Sequence, residues 1–364
     1  MDPPEGLPGD PLHVIFLDSW FSDRSRGSGS AVAISGLAGG LRSLGHRVTV
    51  LRPRRNLPTT NLTRIAYNVG LPARLKGGSA DLIVGFDFDG CFLARGSIPY
   101  VVALKGVMAD ERRYETGWNR HRFRVLSRLE RRNARNADRV IVTSRHSRGV
   151  AISAYGLDPE CVRIVPEGID VERWSSACAY EPTAAHPTIV SVARQYRRKN
   201  TATLVLAMPR VLAEVPEARL RIVGDGPEVP GLRRLVTSLG LDNGTVTLLG
   251  SVGGFDEIRR ELSRADVFCL PSRQEGFGIV FLEAMAVGLP IVASEAAAVP
   301  ETAPHGEVSL LVPPDDVEAL AGALVRLLLD EDLRQRLTAA GSVRWRRFAW
   351  PDVARRFLAE ARPD

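Results

Sequence analysis

Residues 271–286 read Pro-Ser-Arg-Gln-Glu-Gly-Phe-Gly-Ile-Val-Phe-Leu-Glu-Ala-Met-Ala and follow the apolar run Val267–Leu270. The apolar run predicts a buried strand, the Gly-Phe-Gly segment a turn, and the apolar residues after it a helix. Backbone N–H groups are unpaired where such a helix begins, and anions bind there. Glu275 lies in the turn, and Glu283 lies two helical turns later among apolar neighbours. Because a buried carboxylate is costly unless polar groups meet it, sugar or ribose hydroxyls are candidate ligands.

The composition is that of an ordinary globular protein. The chain has 364 residues, 45% of them hydrophobic and 25% charged, and its length predicts two domains. We expect a cytoplasmic protein, because no apolar run could span a membrane and the acidic, Pro-rich start does not resemble a secretory signal. The net charge of +6 fits an anionic partner or a general use of arginine. The cysteines lack metal-ligand spacing and should be reduced; they are Cys91, Cys161, Cys178 and Cys269.

Apolar strands alternate with helical segments, which predicts an α/β fold with doubly wound parallel sheets. The predicted strands are 12–17, 48–51, 82–84, 100–104, 139–142, 188–192, 219–223, 245–248, 266–270, 290–293 and 309–312. The predicted helices are 30–44, 61–75, 88–95, 119–136, 145–155, 200–213, 229–239, 254–263, 278–287, 316–329, 331–345 and 350–361. The predicted division is an N-terminal domain 1–168, a linker 169–187, a C-terminal domain 188–346 and a last helical segment 347–364.

The spacing of Glu275 and Glu283 is similar to the E-x7-E motif of retaining glycosyltransferases with the GT-B fold. The neighbouring Glu-Gly-Phe-Gly, Leu-Glu-Ala-Met-Ala and Gly-Leu-Pro-Ile-Val-Ala segments resemble the GT4 family, the glycosyl transferases group 1. The resemblance implies two Rossmann-like domains facing a cleft. The first would hold the acceptor, the second the nucleotide sugar, and the last helix would cross back to the first. A capped core helix without a ligand is the alternative interpretation of this stretch.

The resemblance places the donor site in the second domain. Arg194 and Lys199 follow the strand 188–192, at the edge where open α/β sheets bind ligands, and would stabilise a departing nucleoside diphosphate. Glu275 would hold the donor sugar and Glu283 the ribose hydroxyls. The other expected donor contacts are Ser28, Gly29, Gly224, Gly226, Pro227, Ser251, Val252, Gly276, Phe277, Gly278 and Ile279.

Two of these segments have a purely structural alternative. Ser28-Gly29 stands where relatives have a Gly-Gly pair near the donor diphosphate, and its loop could equally be a lid without ligand contact. The segment Gly224–Pro227 reads Gly-Asp-Gly-Pro, which is a turn signal in its own right. The sequence therefore assigns these residues either to the donor or to the fold.

The acceptor side depends on residues of the first domain. Lys105 follows the strand 100–104, where many relatives have a histidine, and could act on the sugar or phosphate as a point charge. Asp110 and Glu111 follow in the same loop and are candidates for acceptor contacts or for exposed carboxylates at a loop tip. Asp87 could contact the acceptor or cap a helix.

We expect no metal and no cofactor apart from the nucleotide-sugar substrate. Asp87-Phe88-Asp89 imitates the metal-binding DxD motif of the GT-A fold, but enzymes of that fold lack a second βα series with E-x7-E. The resemblance to GT-B enzymes, which usually need no metal, therefore argues against a metal site here.

The segment from Asn119 to Arg139 is rich in arginine. Such a basic amphipathic helix could lie on anionic lipid, giving peripheral membrane contact, could hold a phosphate-bearing acceptor, or could simply be solvated. Nucleic-acid binding is not expected, because no stacking aromatic residues interleave the charges.

The sequence predicts a retaining hexosyltransferase that moves a sugar from a nucleotide sugar to a hydroxyl acceptor. No carboxylate is placed as a nucleophile, which favours front-face attack with the leaving phosphate taking the acceptor's proton. The alternatives are a nucleotide-sugar epimerase or phosphorylase on the same scaffold, or a sugar-nucleotide-binding protein without turnover. The base, the sugar, the acceptor and the oligomeric state stay open.

Overall fold

The computed structural model describes residues 10–20, 29–54, 57, 59–175 and 186–362, which form alternating strands and helices. The strands are β1 (His13–Leu17), β2 (Arg47–Leu51), β3 (Leu82–Phe86), β4 (Tyr100–Leu104), β5 (Arg139–Val142), β6 (Val162–Ile164), β7 (Thr188–Val192), β8 (Arg219–Val223), β9 (Val246–Gly250), β10 (Val267–Leu270), β11 (Ile291–Ser294) and β12 (Ser309–Val312). The helices are α1 (Gly29–Ser43), α2 (Thr60–Leu75), α3 (Met108–Glu111), α4 (Gly117–Asn136), α5 (Arg145–Tyr155), α6 (Val171–Ser175), α7 (Thr201–Glu214), α8 (Val229–Ser238), α9 (Phe255–Ser263), α10 (Ile279–Ala286), α11 (Val299–Thr302), α12 (Val317–Leu329), α13 (Glu331–Arg344) and α14 (Trp350–Ala361). The predicted α/β class is confirmed.

The chain divides into two compact units. One unit contains residues 1–168 together with 348–364, and the other contains residues 169–347. Helix α6 lies inside the segment 169–187 that the sequence suggests as a linker, while residues 176–185 lie outside the described part of the chain.

The first unit is built on a parallel sheet with the strand order β2-β1-β3-β4-β5-β6. Every residue of β3 and β4 is buried, as expected for parallel strands covered on both faces. Strand β1 pairs with β2 on one side and β3 on the other, so the chain reverses its direction of travel across the sheet there. The carboxyl ends of β1 and β3 therefore form a topological switch point, where open α/β sheets bind ligands.

The second unit repeats this plan with the parallel order β12-β11-β10-β7-β8-β9. Its core packs the apolar sides of α7 and α12 onto β7, β8 and β10. Strand β7 lies between β8 and β10, so the switch point of this sheet lies at the carboxyl ends of β7 and β10. The loops that follow these two strands carry Arg194, Lys199 and Glu275.

Helix α14 packs on helix α1 within the first unit, and two glycines allow the close approach. A Cβ atom at Gly36 would overlap the indole ring of Trp350. A Cβ atom at Gly40 would lie 2.5 Å from the carbonyl oxygen of Trp350. The packing of the last helix therefore depends on residues without side chains at these positions of α1.

We expect Gly36→Ala to destabilise the protein by about 1–3 kcal/mol, because the added methyl group overpacks the contact with Trp350. Gly39→Ala on the same helix is the matched control, since nothing lies within 4 Å of its Cβ position. Alanine is the better helix former, so Gly39→Ala should stabilise by about 0.5–1 kcal/mol. Urea unfolding followed by circular dichroism measures both changes, and effects of the same sign would contradict the packing.

The structure corrects one predicted helix and adds elements that the sequence analysis missed. The predicted helix 88–95 is wrong: the chain forms turns there, with φ of 56° at Asp87 and 107° at Gly90. These left-handed conformations interrupt a helix, and a Cβ at Gly90 would overlap the Tyr100 hydroxyl. Strand β6 was missed because it has three residues, one of them Arg163.

Candidate functional site

A buried ion pair joins the two loops at the switch point of the second sheet. Lys199 Nζ lies 2.5 Å from Oε1 of Glu275, and the two side chains are 13% and 6% exposed. The hydroxyl of Ser272 donates to the same oxygen at 2.8 Å. Burial alone would raise the pKa of Glu275, but the charges of Lys199 and Arg198 and these hydrogen bonds hold it below its ordinary value. Glu275 is therefore a carboxylate at neutral pH.

Backbone contacts fix the same two loops to each other. The turn that contains Lys199 ends at Asn200, whose φ of 57° starts helix α7. The backbone N–H of Arg273 donates to the carbonyl of Arg198 at 2.8 Å. Asn200 and Arg273 both bind Oδ1 of Asp315, at 3.1 and 2.7 Å. The loops after β7 and β10 thus form one surface at the carboxyl edge of the sheet.

Arg194 lies on this surface, five residues before Lys199. Its side chain is partly exposed, and its guanidinium lies 5.6 Å from the ring centre of Tyr196. The sequence prediction that Arg194, Lys199 and Glu275 come together at one sheet edge agrees with the positions of their loops. Contact with a diphosphate stays a prediction.

The Gly-Phe-Gly turn leads into helix α10 as the sequence indicates. Gly278 has a φ of 85° directly before the helix, and a Cβ there would lie 2.6 Å from the Phe281 ring. Phe277 is buried, and its carbonyl accepts a hydrogen bond from the Thr302 hydroxyl at 2.7 Å. Ile279 opens the helix, and the backbone N–H groups of Ile279 and Val280 have no intrahelical partner, whereas that of Phe281 donates to the Gly278 carbonyl at 3.0 Å. This turn is therefore suited to an anion.

Glu283 lies on α10 with a half-buried side chain. Within the described residues, no side chain or backbone group donates a hydrogen bond to its carboxyl group. Burial raises the pKa of Glu283 to about 7. A carboxyl group that protein groups do not satisfy is a suitable acceptor for the hydroxyls of a bound ligand.

The glycines of the Gly224–Pro227 turn have a clear structural task. A Cβ at Gly224 would overlap the carbonyl oxygen of Ala193, and one at Gly226 would lie 2.5 Å from that of Gln195. The backbone N–H of Gln195 donates to the Asp225 carbonyl at 3.0 Å. The turn thus supports the loop that carries Arg194.

The structure says less about the remaining residues that were expected to contact the donor. Ser251 is exposed and Val252 half-buried, directly after Gly250 with its φ of 67°. Gly29 begins helix α1 in the first unit. Ser28 lies outside the described residues, so the structure does not address the expected diphosphate loop.

Lys105 differs from the expectation of an available point charge. Its ammonium lies 3.0 Å from Oε1 of Glu167, and the two side chains are 8% and 6% exposed. A buried lysine requires such a partner, because an unpaired charge is strongly disfavoured away from water. In this structure the Lys105 ammonium is therefore paired with Glu167 of the same unit.

Asp87 binds groups of its own unit with both carboxylate oxygens. The backbone N–H of Lys105 donates to Oδ1 at 2.9 Å and the Trp20 indole donates to Oδ2 at 2.8 Å. Burial raises the pKa of Asp87, and that of Asp18 at the end of β1, to about 6. The helix-cap interpretation of Asp87 is wrong, because no helix begins there, and its position supports Trp20 and Lys105.

A hydrogen-bond network that was not predicted from the sequence lies at the switch point of the first sheet. Asp89 is fully buried and accepts from the backbone N–H and the hydroxyl of Ser19, both at 2.7 Å. Arg64 donates to the Ser19 hydroxyl and lies between the rings of Trp20 and Phe88. Asp87 and Asp89 were visible after β3, but the sequence does not reveal that β1 pairs with β3.

A histidine–carboxylate pair was also missed. Asp110 lies in α3 and is 3% exposed, so its interpretation as an exposed loop tip is wrong. Nε2 of His146 lies 2.8 Å from its Oδ2, and Arg113 lies 3.3 Å from its Oδ1. Glu111 next to it is half-buried beside Gly106. His146 lies in the first turn of α5, after the N-cap residue Ser144. This helix start at the carboxyl end of β5 was the signal in the sequence that could have pointed to His146.

Neither a metal-binding cluster nor a membrane-spanning helix is found among the described residues. No cluster of three or more histidine, cysteine, aspartate or glutamate side chains there is arranged to hold a metal ion. No helix in the same residues combines the length and apolar character needed to cross a bilayer.

Comparisons with known proteins define the class. Residues 186–330 match the family described as Glycosyl transferases group 1, and residues 27–173 match Glycosyltransferase Family 4. The chain is 33% identical over 276 residues to a GDP-mannose-dependent alpha-(1-6)-phosphatidylinositol monomannoside mannosyltransferase of Mycobacterium tuberculosis, covering 71% of this chain and 70% of that one. A Corynebacterium glutamicum enzyme for the monoacylated form is 35% identical over 52% of each chain. The chain belongs to the GT4 family of glycosyltransferases.

Solved structures confirm the GT-B fold. The sucrose-phosphate synthase of Thermosynechococcus elongatus has a TM-score of 0.79 at 22% identity and covers 96% of this chain and 98% of its own. Anabaena HepE in complex with UDP-glucose has a TM-score of 0.74 at 20% identity, with coverage of 96% and 98%. The protein is therefore an enzyme, a glycosyltransferase that transfers a sugar from a nucleotide sugar.

Proposed function

We propose that the protein is a retaining mannosyltransferase that uses GDP-mannose and a hydroxyl of a lipid-linked acceptor, without a metal ion. The curated relatives named above support the donor and the acceptor class, since both are named for GDP-mannose and a phosphatidylinositol mannoside. We further propose that it works in the cytoplasm, at the surface of a membrane.

The observation that carries the proposal is the Lys199–Glu275 pair at the switch point of the second sheet. Lys199, Arg194 and the start of α10 all follow the carboxyl ends of β7 and β10, and we place the diphosphate at this edge of the sheet. The diphosphate gains negative charge as the sugar leaves, and fixed positive groups lower that barrier. Glu275 holds Lys199 in position and accepts from the hydroxyls of the donor sugar.

The hydrogen bonds that Glu275 already accepts favour front-face attack. Glu275 already accepts from Lys199 and Ser272, so it is poorly suited to form a bond to the sugar. In the proposed step, the bond from the anomeric carbon to the acceptor oxygen forms while the bond to the phosphate oxygen breaks, on the same face. The acceptor's proton passes to the leaving phosphate, and the anomeric configuration is retained.

On the acceptor side we place His146 rather than Lys105. Asp110 orients the imidazole of His146, whereas Glu167 neutralises Lys105. A histidine held by a buried carboxylate can bind a hydroxyl in a defined orientation. The expected role of Lys105 is to shape the end of β4.

Thermal-shift and calorimetric titrations with GDP-mannose and UDP-glucose test the donor. We expect GDP-mannose to bind at least tenfold more tightly. Incubation with a phosphatidylinositol mannoside should then release GDP, and proton NMR of the product should show an α-linked mannose. Tighter binding of UDP-glucose would refute the proposed donor. A β-linked product would refute the proposed stereochemistry.

Nucleotide binding through Glu283 should depend on pH. Burial raises its pKa to about 7, and ribose hydroxyls donate to the deprotonated form. The affinity for the nucleotide should therefore reach its maximum about one pH unit above 7. It should fall about tenfold for each pH unit well below 7. Calorimetry with GDP-mannose, whose esterified phosphates carry no proton that titrates near pH 7, measures the change, and Glu283→Gln should remove it. A dissociation constant that is independent of pH would exclude Glu283 from the ribose site.

Removal of divalent cations should leave the transfer rate unchanged. The proposed step relies on Arg194 and Lys199 for charge stabilisation, so no metal ion is required. Initial rates with and without EDTA test this. A loss of activity that Mg²⁺ or Mn²⁺ restores would show that a metal takes part.

A further inference from the structure

Helix α4 presents an exposed surface that is rich in arginine. All of its arginines are exposed: Arg120, Arg122, Arg124, Arg128, Arg131, Arg132 and Arg135. The acidic residue of this helix, Glu130, is fully buried and accepts from the Met108 backbone N–H at 2.9 Å. Among the described residues, no carboxylate lies within ion-pairing distance of these arginines. Their positive charges are therefore not compensated by the protein.

The charges form one stripe with apolar residues at its side. Positions 120, 124, 128, 131 and 135 are three or four residues apart, which places them on one face of the helix. Trp118 is 82% exposed and Val125 is 52% exposed along the same solvent side. The opposite side buries Leu126, Ser127 and Ala134 against the first unit. We call the exposed side of α4 the arginine face.

The arginine face includes an open groove that suits phosphate groups. Four of its arginines line the groove together with Leu93 and Asn136: Arg128, Arg131, Arg132 and Arg135. Arg132 also lies 5.4 Å from the ring centre of Phe92. One planar guanidinium group can donate two parallel hydrogen bonds to one phosphate group. The four arginines therefore suit several phosphate groups side by side.

We infer that the arginine face docks the protein onto a bilayer surface rich in anionic phospholipid headgroups. The unpaired charges complement such a surface, and an exposed tryptophan beside them suits the boundary between headgroups and acyl chains. A nucleic-acid groove would instead offer several exposed rings for base stacking, whereas Phe92 and Phe123 are half-buried and the exposed ring of Trp118 lies at one end of the helix. The inference rests on the proposed location at a membrane surface, but it does not depend on the donor assignment.

Vesicle sedimentation tests the surface. The full chain is mixed with vesicles of phosphatidylcholine alone, or of phosphatidylcholine with about one third phosphatidylglycerol, at low and high salt. We expect binding to the anionic vesicles that weakens as salt rises. The variant Arg120→Gln/Arg124→Gln/Arg128→Gln should bind about a hundredfold more weakly, since each arginine near an anionic surface contributes about fivefold.

The matched control removes the same charge elsewhere. Arg233 and Arg234 on α8 and Arg336 on α13 are exposed, and their triple glutamine variant should keep most of the binding. Equal losses in both triple variants would overturn the inference, as would equal binding to neutral vesicles. A DNA duplex that displaces the protein from anionic vesicles at nanomolar concentration would reassign the face to nucleic acid. If the triple variant does not fold, single variants should each lose about fivefold.

Discussion

Lys199→Ala should lower kcat for sugar transfer by about 10²–10³-fold, the largest functional effect that we expect from one residue. Lys199 lies at the switch point of the second sheet and is held by Glu275 at 2.5 Å. Its charge stabilises the diphosphate chiefly as the bond to the sugar breaks, so kcat should fall more than the GDP-mannose dissociation constant rises. Initial rates and calorimetry on the same preparation separate the two quantities.

Arg197 offers a matched control in the same turn. Its side chain is exposed, and Arg197→Ala should leave kcat within about threefold. Circular dichroism must show that Lys199→Ala folds, because the substitution leaves Glu275 buried without its main partner. Glu275→Gln is informative here, since it removes the charge that positions Lys199 while keeping the shape of the loop. If both variants retain the full rate, the diphosphate does not bind at this switch point.

Lys105→Met should destabilise the protein by about 3–5 kcal/mol, since Glu167 would remain buried with its charge uncompensated. Glu167→Leu should destabilise the protein by a similar amount, because Lys105 would then remain buried with its charge uncompensated. In the double variant Lys105→Met/Glu167→Leu both charges are absent, and the stability should return to within about 1–2 kcal/mol of the original protein. Urea unfolding of the four proteins completes the cycle.

Glu160→Gln serves as the reference for an ordinary surface pair. Glu160 is 81% exposed, lies 3.8 Å from Arg163, and should contribute less than about 1 kcal/mol. The double variant also decides whether Lys105 takes part in the reaction. A folded double variant with full activity would limit the pair to a structural role, whereas a folded, inactive one would restore Lys105 as a catalytic candidate.

The order of strands and helices was predictable from the sequence because each element is indicated by a local pattern of apolar and polar residues. Continuous apolar runs such as Leu82–Phe86 and Val267–Leu270 indicate buried parallel strands. The segment 88–95 shows where local patterns fail. Its helical appearance is overruled by the Asp89 carboxylate bonding to Ser19 and by Gly90 packing against Tyr100, both of which are contacts distant in sequence.

The candidate site could be predicted where a motif spans one strand and the loop after it. The placement of Arg194, Lys199 and Glu275 follows from the rule that carboxyl ends of parallel strands share one edge. Contacts between chemically ordinary residues could not be predicted. The pairing of Lys105 with Glu167 and of Asp110 with His146 requires knowledge of which strands are neighbours, and no sequence pattern states this.

Helix α14 has a consequence for how the protein is made. Residues 348–364 complete the unit that begins the chain, and Gly36, Gly40 and Gly168 all pack against Trp350. On a ribosome, domains generally fold as they emerge, beginning with the amino-terminal one. Because residues 348–364 are synthesised after residues 169–347, the first unit cannot be completed before the whole second unit has been synthesised.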